Sequence, residues 1–305
     1  IHTDTSYGRA RIDSIDTRRM LRELEMGKIV VVAGFQGFTD DMDVTTLGRG
    51  GSDTTAVAVA AALKAERCEV YTDVEGIYTA DPRIVSDARK LKEITYEEML
   101  ELAAYGAKMH PRAVELGAVY NIPIYVASSF SAIVGTLIHG DVSMMEHRVK
   151  VTGVAHDRNV AKITLRRVPD KPGVAATLFE PLSAVGISVD TIVQNTSRDL
   201  HTDLSFTVAR GDLEQAVEIV RPVSDSLGAS EIARDTSLSK VSIVGAGMQN
   251  APGYASVMFR TLSETGINID MITTSEIRIT CIVAESQLEA AVQALHKAFR
   301  LDEET

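Results

Sequence analysis

Thr46-Leu47-Gly48-Arg49-Gly50-Gly51-Ser52-Asp53-Thr54-Thr55 lies between a strand-like apolar run and an unbroken helical run from Ala56 to Ala65. Glycines at 48, 50 and 51 let the backbone approach a ligand closely. Ser52 or Asp53 is placed to cap the helix, whose first amides and positive dipole end favour an anion. Arg49 adds a planar fork that matches a carboxylate or a phosphate. A glycine turn before a capped helix is also common without any ligand, so this window alone leaves both readings open.

Working outward, Lys28 to Phe35 (KIVVVAGF) is a nearly continuous apolar run of the kind found in buried parallel strands. Before it, Thr17 caps a short amphipathic helix bearing Met20, Leu21 and Leu24, and two arginines (Arg9, Arg11) stand exposed. After the alanine-rich helix, Cys68 to Thr72 reads as a strand, followed by Asp73-Val74-Glu75-Gly76-Ile77-Tyr78 and Asp81-Pro82-Arg83. Strand, helix, strand in that order gives parallel βαβ units. A capped helix is expected from about Thr95 to Ala107, with Glu97, Glu98 and Glu101 on its solvated face. Pro111 suits the first turn of another, reaching about Tyr120. Ile122 to Ala127 reads as the last parallel-type strand, and the polar stretches 128–131 and 141–148 as a link.

Beyond the link the chain repeats itself. Lys171-Pro172-Gly173 through Gly186-Ile187-Ser188-Val189-Asp190 matches Ala251-Pro252-Gly253 through Gly266-Ile267-Asn268-Ile269-Asp270 at a constant offset of 80 residues. Each copy reads as βαββα. The first has a closing strand at Ala229 to Ala233, whereas the second ends at its helix. A spare strand, Val149 to Ala155, is available to complete the second copy, which would enclose the first within it.

Composition narrows the function classes. A chain of 305 residues with 45% hydrophobic content has room for two or three domains with real cores. A net charge of −11 argues against nucleic acid or an anionic membrane as partner. The longest apolar run, Ala56 to Leu63, is too short to span a bilayer. Cys68 and Cys281 do not make a disulfide framework, and a reducing cytoplasm is the simpler expectation. His110 beside Pro111 reads as a helix-start residue, because no second His or Cys sits at ligand spacing; no protein metal site is expected. Taken alone, Asp73 could be a strand-end turn residue and Tyr78 a core ring.

The glycine loop, the Tyr71 to Tyr78 and Asp81-Pro82-Arg83 stretch, and the paired Pro-Gly/Gly-Ile repeats together resemble the aspartate kinases with their tandem ACT regulatory domains. Val241 to Met248 and Thr273 to Ile277 are also similar to that family's second ACT copy. The resemblance implies an α/β fold: residues 1–140 as the C-terminal part of an amino-acid-kinase (carbamate-kinase-like) three-layer domain around a mainly parallel sheet. Residues 149–305 would form two α+β ferredoxin-like ACT domains, the first about 160–235 and the second about 240–301 plus strand 149–155.

It further implies ATP-dependent phosphorylation of the side-chain carboxylate of L-aspartate to 4-phospho-L-aspartate, the first step towards lysine, threonine and methionine. Arg49 would hold a substrate carboxylate, Gly50, Gly51 and Ser52 would line that site, and Asp53 would engage the amino group and organise transfer. Thr72, Asp73, Tyr78, Arg83 and Lys108 fall where the family contacts ATP, with Mg²⁺ carried on phosphate oxygens. Effector lysine or threonine would bind at Asp170, Ser188, Val189, Asp190, Gln194 and Asn195, and at Asn268, Ile269 and Asp270. The first copy is expected to be the stronger site, since Gln249-Asn250-Ala251 offers no counterpart of Asp170.

Two departures from the family stand out. The chain opens with Ile1 and carries neither the Lys-Phe-Gly-Gly turn nor the Gly-Glu pair, which implies that the N-terminal part of the catalytic domain is absent and that this chain by itself is incomplete for catalysis. The segment Gly106 to Pro111 is one residue short, which on a helix turns the downstream residues by about 100° and sets Lys108 apart from its family position. The alternative is a regulatory chain without catalysis, docking on a complete kinase subunit, with an ACT-mediated homo-oligomer the simpler assembly. Another amino-acid kinase, for glutamate or acetylglutamate, is disfavoured by the tandem repeat.

Overall fold

A computed structural model describes residues 1–140, 151–195, 200–248 and 252–303. The first part runs β1 (His2–Thr3), β2 (Ile12–Ser14), α1 (Arg18–Glu25), β3 (Gln36–Phe38), β4 (Val44–Thr46), α2 (Gly51–Leu63) and β5 (Cys68–Thr72). It continues through β6 (Glu93–Thr95), α3 (Tyr96–Ala104), α4 (Pro111–Tyr120), β7 (Ile124–Ser128) and β8 (Thr136–His139). Two sheets result, in the orders β2-β1-β3-β4 and β5-β7-β8-β6. The second is mixed: β5 and β7 are parallel, as are β6 and β8, while β7 meets β8 antiparallel. β7 is therefore not the last strand of this part. α2, α3 and α4 bury Val57, Met99, Leu102 and Val114 against Ile124, Val126 and Ile138 of the sheet.

Local signals explain these helices. Thr95 caps α3 in a reciprocal box, its hydroxyl accepting from the Glu98 amide while Glu98 reaches back to the Thr95 amide. Pro111 opens α4 behind an N-cap at His110. The apolar run 28–35 behaves otherwise. It belongs to no described strand, and Ile29 and Val31 are 95% and 91% exposed. An apolar run signals a wish for burial, but a strand also needs neighbours for its amides and carbonyls, and no described strand lies beside this one. α1 forms where expected, although none of its residues is buried and the Thr17 hydroxyl makes no cap bond.

The second part runs β9 (Gly153–Asp157), β10 (Ala161–Pro169), α5 (Val174–Ala184), β11 (Ile192–Gln194), β12 (His201–Val208), α6 (Leu213–Leu227) and β13 (Glu231–Asp235). Then come β14 (Leu238–Val244), α7 (Tyr254–Glu264), β15 (Met271–Thr274), β16 (Arg278–Ala284) and α8 (Leu288–Ala298). Two antiparallel sheets form with matching orders, β11-β12-β10-β13 and β15-β16-β14-β9. In the second of them β9 stands where β13 stands in the first, with Lys240 opposite Asp157 and Val244 opposite Gly153. Each sheet carries its two helices on one face, over cores built from Ile163, Leu178, Phe206 and Val220 in one copy and Ile243, Met258, Val283 and Leu295 in the other. Among the described residues no helix is long and apolar enough to cross a membrane.

The cores are not separate. Ala80 and Val85 of the first part are buried in the core of the second repeat, and Ala155 and Val244 in the core of the first part. α3 lies against β9 and β14.

Candidate functional site

The turn from β4 into α2 is tight. The Gly51 amide donates to the Gly48 carbonyl at 3.0 Å, and Gly50 takes a left-handed conformation (φ 71°) as the helix N-cap. The cap is thus Gly50 rather than Ser52 or Asp53, which sit in the first turn. A side chain at Gly50 would overlap the His110 ring, so only glycine fits there. Buried Leu47 anchors the turn, and Arg112 holds it from α4 by donating to the carbonyls of Leu47 (2.8 Å) and Ala10 (3.0 Å). Neither Arg112 nor this use of His110 had a signal in the sequence. Their partners lie about sixty or more residues away.

Arg49 is exposed and faces a cavity of 570 Å³, lined also by Arg9, Arg11, Gly48, His110, Arg112 and Glu115. Four guanidinium groups against one carboxylate make this an anion-seeking surface. Asp53, in the first turn of α2, is half-buried and is not part of this lining. Burial raises its carboxyl above the usual range, while the charges of His110 and Lys108 pull it back. Burial lowers the pKa of His110, helped by Arg112 and opposed by Asp53. Ser52 is exposed and Gly51 buried in the same turn.

A second cleft, of 340 Å³, gathers Asp73, Tyr78, Arg83 and Lys108. Thr72 stands at the end of β5 and donates to Asp73 at 3.0 Å. Lys108 pairs with Asp73, and that hydrogen bond, together with the weaker effect of the one from Thr72, holds the Asp73 carboxyl below its usual range. Lys108 lines the cleft and is not set apart from it; residues 105–110 are a loop rather than a helix, so the rotation argued for a helix does not apply. The Tyr78 hydroxyl donates to Glu75 at 3.2 Å, and Arg83 pairs with Asp81 at 2.7 Å. Thr136, which no sequence signal marks, fastens this loop. Its hydroxyl accepts from the Ile77 amide (2.9 Å) and donates to the Leu91 carbonyl (2.6 Å).

The two repeats place their acidic residues in matching positions. Ser188, Val189 and Asp190 lead from α5 into β11, and Asn268, Ile269 and Asp270 lead from α7 into β15. The Asp190 amide donates to Thr207 and the Asp270 amide to Ile282, at 3.1 and 2.8 Å. Each carboxylate is taken by a lysine of the other copy: Asp190 pairs with Lys240, and Asp270 with Lys162 at 2.7 Å. Lys162, Asn195 and Asp270 line a 510 Å³ cavity where the copies meet. Gln194 closes β11 opposite Leu204, and Asp170 lies in the turn between β10 and α5, its amide bonded to Leu200. The segment 249–251, on which the weaker second site was expected, lies outside the described residues, as does the link 141–150. Glu98 is buried rather than solvated: it accepts from Thr152 at 2.6 Å and from the Ala246 amide at 3.0 Å. Glu101 accepts from Arg278 at 2.6 Å. Among the described residues no group of three or more His, Cys, Asp or Glu could hold a metal.

Comparison with known proteins matches residues 2–128 to the Amino acid kinase family, and residues 166–222 and 241–299 to the ACT domain. An aspartate kinase of Stutzerimonas stutzeri is 49% identical over 303 residues, covering 99% of this chain and 74% of its own length. Aspartokinase of Pseudomonas aeruginosa is 50% identical over 305 residues, with 99% and 74% covered. Aspartokinase III of E. coli, solved in complex with aspartate and ADP in the R-state, superposes with a TM-score of 0.81 at 30% identity, over 97% of this chain and 67% of that one. The same enzyme in complex with lysine and aspartate in the T-state gives 0.74 at 29% identity, over 98% and 67%. The chain thus spans about three quarters of the length of the curated relatives it matches.

Proposed function

This chain belongs to the aspartate kinases, amino acid kinases joined to ACT domains, and we propose that its two clefts hold L-aspartate and ATP for transfer of the γ-phosphoryl group to the aspartate side chain. The observation that carries this reading is Lys108, which pairs with Asp73 in one cleft while its charge reaches Asp53 beside the other. A cation that lines one cleft and acts on a carboxylate of the glycine turn suits phosphoryl transfer, because negative charge spreads over the moving group's oxygens.

In this reading Arg49 grips a carboxylate of aspartate through its planar fork, and the glycine turn lets the backbone come close. Asp53 takes the ammonium group. Its half-buried carboxyl, pushed up by burial, gains from a cation beside it. The side-chain carboxylate oxygen then forms a bond to the γ-phosphorus as the bond to the β-bridging oxygen breaks, leaving ADP and 4-phospho-L-aspartate. Lys108 offsets the charge on the transferring group, and the Asp73–Lys108 pair keeps that ammonium aimed into the cleft. Mg²⁺ bound with ATP would supply further charge neutralisation, carried largely on phosphate oxygens, with Asp73 a carboxylate of the same cleft.

Regulation follows from the ACT copies. The E. coli relative binds lysine, and we place a lysine- or threonine-type effector at Asp190 and Asp270, whose carboxylates suit an ammonium group. Exposed Ile192 and Ile272 on the edge strands β11 and β15 suit pairing with a second chain, giving an ACT-mediated oligomer. The free, buried cysteines fit a reducing cytoplasm.

Calorimetry with L-aspartate and L-glutamate tests the substrate assignment. Aspartate should bind, glutamate should bind at least ten-fold more weakly, and Arg49→Ala should weaken aspartate by a charge-assisted bond, about ten-fold or more. Equal binding of the two amino acids would remove the assignment.

A further inference from the structure

The cleft read as the nucleotide site has a wall that comes from the regulatory part. β9 belongs to the sheet of the second ACT copy, His156 standing opposite Val241. The same strand lines the cleft through Val154, Ala155 and His156, facing Tyr78, Arg83 and Lys108. It is fastened there. The Val154 amide donates to the Thr79 carbonyl at 2.7 Å, and a Cβ at Gly153 would stand only 3.0 Å from that oxygen. Thr79 directly follows Tyr78, so the bond that fixes β9 also fixes the Tyr78 end of the cleft. α8 adds two more ties. His296 Nε2 lies 2.9 Å from the Thr79 hydroxyl, and Gln293 donates to the Ile84 carbonyl at 2.8 Å.

Resting on the nucleotide reading above, we propose that His156 is a nucleotide-contacting residue whose imidazole packs on the nucleoside end of ATP. The second ACT copy thereby supplies part of the ATP site. Lys108 lines the cleft as a cation that suits phosphates, and His156 lines it together with the apolar Val154, Ile77 and Leu102. Burial lowers the pKa of His156, opposed by Asp81 across the cleft and by Asp157 beside it, and assisted by Arg158 and Arg83. Burial therefore favours the uncharged ring. A flat neutral ring with one donor and one acceptor matches a ribose or a base, not a phosphate chain. In the sequence this residue is a lone histidine between Ala155 and Asp157, without a motif to mark it.

Titration of the unmodified chain with ADP, followed through the imidazole signals of its histidines, tests the assignment. The His156 signals are identified from their loss in His156→Gln, whose melting temperature monitors folding. ADP should shift the His156 signals, and His156→Ala should weaken ADP binding about five-fold, the worth of one hydrogen bond or ring contact. Unmoved His156 signals, with ADP binding still lost in Tyr78→Ala, would overturn the proposal and leave the nucleotide reading standing. Absence of ADP binding, or binding insensitive to Tyr78→Ala, would overturn both.

Discussion

Gly50 carries two constraints at once, a left-handed backbone and a neighbour, the His110 ring, that leaves no room for a side chain. Gly228, the C-cap of α6, has a similar φ of 69° but open space around it. The pair separates backbone strain from steric overlap. Gly228→Ala should cost only the left-handed penalty, about 1 kcal/mol, whereas Gly50→Ala should cost about 2–4 kcal/mol and weaken aspartate binding. Thermal melting of the two variants checks this, and equal losses would mean that His110 yields freely. The loop itself was legible because glycine, arginine and a following helix are neighbours in sequence. That His110 and Arg112 brace it was not, since neither residue type nor spacing records a contact made across some sixty positions.

The elements that hold the parts together use the same few residues twice. Glu98 completes the cap of α3 through one carboxylate oxygen and accepts from Thr152 and the Ala246 amide through the other. Glu98→Ala should therefore destabilise by about 2–3 kcal/mol, and Glu98→Gln by less, in chemical denaturation. Across the ACT copies, Lys240 is buried and depends on Asp190. Asp190→Ala would strand a buried ammonium, a large loss unrelated to effector binding. Lys240→Met instead frees the carboxylate, and lysine or threonine should then bind more tightly by calorimetry; weaker binding would show that Lys240 holds the site open. Local chemistry made much of this readable: the Thr95 box, Pro111 at the start of α4, and the repeat whose copies prove to share a strand order. The run 28–35 misled because hydrophobicity reports a preference for burial and not the presence of a pairing strand. Glu98 misled because its helical neighbours, Glu97 and Glu101, made it look like one more solvated acid.

At the scale of the whole molecule the ACT part and the kinase part are one packed body around the cleft of Tyr78 and Lys108, since residues of each are buried in the other's core. Two histidines sit at that junction, His156 and His296, and burial lowers the pKa of both from 6.5. The sign comes from proton counting. Below pH 6.5 the unfolded chain takes up protons that the folded one refuses, so stability rises with pH there and falls as pH drops from about 6.5 towards the lowered values. The melting temperature should decline between pH 7 and pH 5, above the range of the carboxylates, and His296→Gln should flatten part of that decline. An unchanged slope would place the titration elsewhere. The central claim, that one chain presents separate aspartate and nucleotide clefts linked through the charge of Lys108, is tested most directly by crossed calorimetry. L-aspartate and ADP are each titrated into the wild type, Arg49→Ala and Tyr78→Ala. Arg49→Ala should lose aspartate and keep ADP, and Tyr78→Ala should do the reverse. Loss of ADP binding in Arg49→Ala with aspartate retained would contradict the claim.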